Sequence, residues 1–278
     1  MTDYQTARAS LGVRLRELRE EAGLSGRELA VRLGWHPSKV SKLEHGKQTA
    51  SLEDLRSWAR VCGRPEAAKG LSTQLRSLET HYASWRRRLA GGHEPLQRSY
   101  SPLDAATRHF RIFETACVPG LLQTPDYAAY MFRRGARHHC TPEDIDKAVR
   151  ARMDRQNILD APGKRFEVLI WEPALHIRLG PDAVMAAQLS RIVSEITRRQ
   201  ADIGVIPLAA SMDVVPAHGF WIFDEKQVLV ETIGAELSLT EALATEPYRR
   251  AFAELSAAAL RGPRAARLVQ DIGQNLPP

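Results

Sequence analysis

Residues 24–47 read LSGRELAVRLGWHPSKVSKLEHGK, and this stretch decides the first part of the fold. Ser25 is a good helix N-cap, and Glu28 stands three residues on, the spacing of a capping box. Leu29, Ala30 and Leu33 then form an apolar stripe at helical spacing. Gly34 supplies a permissive backbone for a turn. His36 is placed to cap a second helix, with Pro37 at its first position, where a missing N–H costs little. Val40 and Leu43 face inward, which leaves Pro37, Ser38, Ser41, Lys42 and His45 on the outer face, and Gly46 ends the helix. Two short helices joined by a tight turn make a helix-turn-helix. That layout sets a polar, basic second helix where it can enter the major groove of DNA.

The flanking sequence supplies the supporting helices. Leu11, Leu15 and Leu18 recur at helical spacing upstream. Downstream, Ser51 caps a helix carrying Leu52, Leu55, Trp58, Ala59 and Val61, stopped near Gly63 and Pro65. Four such helices make a small all-α core over residues 9–64. Leu71, Leu75, Leu78, Tyr82 and Trp85 continue at three- or four-residue spacing, so a linker helix is expected over 65–92, ending at Gly91-Gly92. Arg86, Arg87 and Arg88 would then complement its C-terminus.

Charge is uneven along the chain. The net charge is +6; residues 1–90 hold 17 basic and 10 acidic side chains, and residues 91–278 hold 22 and 23. The basic excess thus travels with the helix-turn-helix, the usual footprint of a nucleic-acid binder. At 278 residues and 44% apolar content, the chain is long enough for two domains with sizeable cores. No apolar run approaches the 18 residues or so of a membrane span. The start, MTDYQTARASLG, lacks the apolar core of a signal peptide. Cys62, Cys117 and Cys140 are scattered, as in a reducing compartment. The expected location is the cytoplasm, with no membrane association.

Residues 93–275 read as a second, α+β domain, with α/β left open, carrying about four strands. Residues 105–115 fit helix or strand. A Thr-Pro-Asp start after VPGLLQ leads into a short helix, and Thr141-Pro142-Glu143-Asp144 opens another that runs to about Asp160. FEVLIWE (166–172), an amphipathic helix over 181–199 and ADIGVIPL (201–208) form a strand–helix–strand unit, which predicts a parallel pair. GFWIFD and QVLVETI flank Glu225-Lys226 as a two-residue hairpin. Residues 246–272 read as helical.

The N-terminal run, close to LxxLReeaGLSxxELAxxLGxxxSKVSKLExGK, resembles the Xre/Cro/C1-type helix-turn-helix family over about residues 9–64. That resemblance implies DNA binding. It places Ser25, Gly26 and Arg27 at the phosphate-facing start of the second helix, and His36, Pro37, Ser38, Ser41, Lys42 and His45 on or beside the base-reading helix. It also implies that Lys39, Lys47 and Thr49 contact the DNA backbone, and that Arg19 and Glu44 form a structural ion pair. The family often has Gln where this chain has Gly26, so that side-chain contact is absent. VPGLLQTPDYA, VRARMDRQNILD and AELSAAALRGP look like the C-terminal domain of actinobacterial WhiJ-like, toxin–antitoxin-like regulators. This second resemblance implies a transcriptional regulator modulated by a small protein from a neighbouring gene.

No catalytic constellation is legible: GxGxxG, P-loop, HExxH and paired CxxC patterns are absent. His138-His139-Cys140 reads as a polar loop rather than a metal site. Glu167 and Glu172 sit five apart on one strand, which points them to opposite faces. Trp171, Phe220, Trp221 and Phe223 read as core, with a ligand pocket as the alternative. The expectation is a non-enzymatic regulator that needs no cofactor or metal. It binds double-stranded DNA as a homodimer on an inverted repeat. A small-molecule effector, or an antitoxin-like sequestering role, is the alternative to the protein partner.

Overall fold

The computed structural model describes residues 3–198 and 200–275, with all their side chains except those of residues 3–7, 76–84 and 86–87. The chain divides into two compact units, Met1–Ala83 and Ser84–Pro278.

Five helices, among the described residues, build the first unit: α1 (Asp3–Glu21), α2 (Gly26–Leu33), α3 (Pro37–Glu44), α4 (Leu52–Val61) and α5 (Ala67–His81). Leu11, Leu15, Leu18, Leu29, Leu43, Leu55 and Trp58 form its core. Trp58 is fully buried and donates its indole N–H to the Leu15 carbonyl at 3.0 Å. That bond removes the penalty of an unsatisfied buried donor. Helix α1 presses its backbone onto the end of α3. A Cβ at Gly12 would lie 2.5 Å from the Glu44 carbonyl oxygen and 2.6 Å from that of Leu43. Gly46 has φ +60° and a Cβ there would lie 2.9 Å from Ala9 Cα. Both positions therefore demand glycine.

The expected linker helix is interrupted. It stops at His81, a three-residue strand β1 (Tyr82–Ser84) follows at the boundary of the units, and α6 (Trp85–Arg88) begins anew. The side chains of Leu78, Tyr82, Arg86 and Arg87 lie outside the described residues. Trp85 is tied to the second unit: its backbone N–H reaches the Gly234 carbonyl at 3.2 Å and its indole N–H the Thr232 carbonyl at 2.7 Å. Tertiary bonding thus overrides helical periodicity. Arg88 pairs with the Glu236 carboxylate rather than with a helix terminus. With the boundary at 83/84, the first unit holds 14 basic and 10 acidic residues and the second 25 and 23. The basic excess is shared, +4 and +2, because the Arg86–Arg88 triplet belongs to the second unit.

The second unit continues with α7 (His93–Ser99), α8 (Ser101–Ala106), β2 (His109–Glu114), α9 (Pro125–His139) and α10 (Ile145–Gln156). Then come β3 (Arg165–Trp171), α11 (Pro173–His176), α12 (Asp182–Arg198) and β4 (Asp202–Ile206). It ends with β5 (Phe220–Phe223), β6 (Gln227–Glu231), β7 (Ala235–Leu239), α13 (Ala242–Ala257), β8 (Leu260–Arg261) and α14 (Pro263–Gln274). Strands β2 to β8 form a mixed sheet in the order β7-β6-β5-β2-β3-β4-β8. β2, β3 and β4 are parallel, with Ile112 opposite Val168 and Val168 opposite Ile203; the other neighbours are antiparallel. Alternation divides the strands between two cores. Phe110, Ile112, Phe166, Val168, Ile170, Ile203 and Val205 join Leu189, Ile192 and Val269 of α12 and α14. Phe113, Leu169 and Ile206 join Phe252 and Leu255 of α13. Burial on both faces explains the nearly continuous apolar runs of these strands.

The sheet has seven strands in this unit, not four. Residues 109–114 resolve to strand. Ala235–Leu239 and Leu260–Arg261 are strands that the sequence reading lacked, and the latter splits the expected C-terminal helix into α13 and α14. The hairpin connection is three residues, since Phe223 pairs with Gln227. Asp224 leaves the strand with φ +50° because its carboxylate accepts the Arg108 and His109 backbone N–H groups, at 3.0 and 2.9 Å. Helix α10 begins at Ile145, not at Thr141. Asp144 caps α7 instead, accepting from the His93 and Glu94 N–H groups at 2.9 and 2.6 Å. His138 and His139 belong to the last turn of α9 rather than to a loop, and Cys140 closes that helix with φ +52°.

Candidate nucleic-acid interface

Local chemistry builds α2, the turn and α3. The Ser25 hydroxyl accepts the Glu28 N–H at 3.2 Å, and the Glu28 carboxylate accepts the Ser25 N–H at 2.7 Å. The hydrogen bond from the Ser25 backbone holds the Glu28 carboxyl below its ordinary range. Gly34 takes φ +66° in the turn, and Trp35 N–H returns to the Ala30 carbonyl at 2.8 Å. His36 caps α3: its Nδ1 accepts the Ser38 N–H at 3.2 Å, and Pro37 follows at the first helical position.

The recognition helix is clamped from behind. Val40, Leu43 and Glu44 are buried. Arg19 reaches the Glu44 carboxylate with Nε at 2.5 Å and Nη2 at 3.1 Å, and its Nη1 binds the Leu24 carbonyl at 2.7 Å. The Glu44 hydrogen bond raises the Arg19 guanidinium above its ordinary value. Arg16 adds a 3.5 Å contact to Glu44 and a 3.1 Å contact to His45 Nε2. One guanidinium fork thus spans α1, the α1–α2 loop and α3.

Ser38, Ser41, Lys42 and His45 project from the other side, at i, i+3, i+4 and i+7, which is one helical face. All four are exposed, as are Ser25, Arg27, His36, Pro37 and Lys47; Gly26, Lys39 and Thr49 are half-buried. His45 Nδ1 lies 2.7 Å from the Ser41 carbonyl oxygen, which orients the ring. Lys42 and Lys47 have no ion-pair partner among the described residues. Lys39 differs. Its ammonium lies 3.8 Å from the Trp35 ring centroid and donates to Asp54 at 2.7 Å, so its charge is engaged within the unit. Burial opposes the Asp54 charge, but the Lys39 bond and the Ser51 cap hold its carboxyl below the usual range. Gly26 is sterically open, since a Cβ there would meet Val40 Cγ1 at 3.8 Å. The sequence reading missed Gly12, Arg16 and Asp54. Gly12 and Arg16 act through partners distant in sequence, so no local pattern marks them; Asp54 stands three residues after Ser51, a capping-box spacing that was legible, and only its bond to Lys39 was not.

Among the described residues no group of three or more His, Cys, Asp or Glu is arranged to hold a metal ion. Glu167 accepts from His109 at 2.6 Å, whereas Glu172 accepts the Leu208 N–H at 2.7 Å; the two serve separate contacts. No helix among the described residues is long and apolar enough to cross a membrane.

A clamped helix with an exposed polar face after a tight turn defines the class: a helix-turn-helix protein of the kind that binds DNA. Residues 10–69 match the family described as Helix-turn-helix domain. Residues 97–271 match the Domain of unknown function (DUF5753), well over half of the chain, and the protein belongs to that family. No curated protein sequence matches it. Among solved structures, the archaeal chromatin protein TrmBL2, described as showing a novel mode of DNA binding, matches with 12% identity and a TM-score of 0.31. The alignment covers 86% of this chain and 88% of that one, at a level of likeness where neither fold nor function transfers.

Proposed function

We propose that the protein is a sequence-specific transcriptional regulator of the Xre/Cro/C1 type, with a WhiJ-like second domain. The observation that carries this reading is the exposed polar face of α3, held from behind by the Arg19–Glu44 fork. Ser38, Ser41 and Lys42 read base edges in the major groove. The α2 start at Ser25–Arg27, together with Lys47, contacts phosphates. One such head reads few base pairs, so the protein binds an inverted repeat as a homodimer. A small partner protein acting on the second domain shifts the population between DNA-competent and incompetent arrangements. The chain performs no catalytic step in this reading and works in the cytoplasm.

Selection of genomic DNA fragments on the purified protein, followed by sequencing, tests the reading. An enriched inverted repeat, bound by two chains per site in light scattering, is the expected result. Recovery of fragments without any shared motif would refute sequence-specific binding.

A further inference from the structure

Beyond the carboxyl end of β2, the second unit has a solvent-open cavity of about 750 Å³, and an adjoining one of about 470 Å³ shares Gln97, Tyr100, Met131, Arg152 and Glu231 with it. The first lies within the size range of sites for small organic ligands. Its place in the fold is also informative. β2 has parallel β3 on one side and antiparallel β5 on the other, so the winding of the sheet changes there. Crevices at the carboxyl ends of strands beside such a switch are where open α/β sheets bind ligands. Phe220, Trp221, Phe223 and Met131 supply apolar wall. Trp171 packs on the α13 side of the sheet, where Phe220, at the rim of the cavity, also meets the Tyr248 ring at 5.1 Å.

Several charged groups reaching the cavity are matched within the chain. Arg155 makes a bidentate pair with Asp104 at 2.6 and 3.1 Å. Glu236 takes the Arg88 guanidinium and, at 2.5 Å, the Tyr100 hydroxyl. Three groups differ. Arg152 is held by neutral oxygens, those of Gln97 at 3.2 Å and Gln123 at 2.5 Å, and stacks 4.3 Å from the Phe132 centroid. No carboxylate lies within ion-pair distance of it among the described residues. Glu114 accepts one hydrogen bond, from the Trp221 indole N–H at 2.8 Å. Glu231 borders both cavities, is accessible from them, and has no side-chain partner among the described residues. Two carboxyls therefore face one guanidinium, and with all three ionised the cavity lacks one positive charge. At Glu114 burial opposes that charge and pushes the carboxyl from its ordinary 4.5 to about 8, so an incoming cation would be what draws it into the ionised form.

We propose that this cavity binds a small organic monocation with a bulky apolar body. The cationic group answers Glu114 and Glu231, and the body lies against Phe220, Trp221 and Met131. A cation beside these carboxyls offsets the cost of holding them without a partner, and the apolar wall receives the body of the ligand. The site stands whether or not the first unit binds DNA, because its test reads ligand binding alone.

Titration calorimetry of the full chain with tetraphenylphosphonium, and with the equally shaped anion tetraphenylborate, separates charge from apolar character. The phosphonium should bind saturably, one per chain, at least tenfold more tightly than the borate. Glu231→Gln breaks no side-chain contact among the described residues and should weaken phosphonium binding at least fivefold without lowering the unfolding temperature. If that variant proves unstable, Glu114→Gln replaces it with the same expected loss. Absence of saturable phosphonium binding, equal or tighter borate binding, or undiminished binding by the folded variant would each overturn the proposal.

Discussion

The two units treat carboxylates in opposite ways. In the first, Glu44 lies under α3 and both Arg19 and Arg16 reach it. In the second, Glu114 and Glu231 face a cavity, and no cation is bonded to either among the described residues. A carboxylate matched within the chain ties elements together, so its removal costs stability. An unmatched one is a burden on the fold that a ligand relieves. The contrast separates a structural use of charge from a binding use.

The largest effect is expected from Arg19→Ala, which strands Glu44 in the core. Removing one partner of a buried pair costs about 3–5 kcal/mol. Denaturant unfolding should show this loss in the first unit; an unchanged midpoint would erase the contrast with the second. Gly12→Ala drives a Cβ into the Glu44 and Leu43 carbonyls and should cost roughly 2–3 kcal/mol, as overpacking does. Thermal unfolding reads it, and a silent substitution would show that α1 can slide off α3.

Lys42→Ala should weaken operator binding by roughly 1–3 kcal/mol, with little change on random DNA. Equal loss on both, measured by titration of labelled duplexes, would make Lys42 a phosphate contact. Glu114→Gln should act with the sign opposite to Arg19→Ala. The raised Glu114 carboxyl contributes stability that is fully present below about pH 4.5 and lost as pH rises through about 8. Glu231, Arg152 and Cys117 are the ionisable neighbours that act on it. The variant should therefore match the parent at pH 4 and unfold higher at pH 8, by about 3–6 °C for roughly 1–2 kcal/mol. A lower unfolding temperature at pH 8 would mean that Glu114 is matched after all. The smallest effect is expected from Gly26→Gln, which the open space at Gly26 accommodates. It should add about 0.5 kcal/mol of helix stability and tighten DNA binding a few-fold. Reduced binding in the same titration would show that the α2 start does not face phosphate.

Legibility follows the range of the interactions. Ser25 with Glu28, Gly34, and His36 with Pro37 act within a few residues, so α2, the turn and α3 could be read from spacing. The strand–helix–strand unit β3–α12–β4 was readable because each strand is apolar along its length. Two strands were not. β7, Ala235–Leu239, interrupts its apolar residues with Glu236 and Ser238, and the two residues of β8 lie in a run rich in alanine that reads as helix. Leu260–Arg261 is extended because Gly204 and Val205 of β4 offer it an open edge. The same limit hid Gly12 and the Lys39–Asp54 bond, whose partners are 31 or more and 15 residues away.

Sequence alone determined that a polar, exposed helix follows a tight turn near the N-terminus, because capping, turn chemistry and apolar periodicity are local. It also determined that strands alternate with helices in the second half. Tertiary structure alone decided which charges are matched. Arg19 and Glu44, distant in sequence, share one fork, whereas Glu114, Arg152 and Glu231 come from three elements and meet around a cavity without closing their charge. Whether an acid is satisfied depends on neighbours in space, and composition carries no record of them.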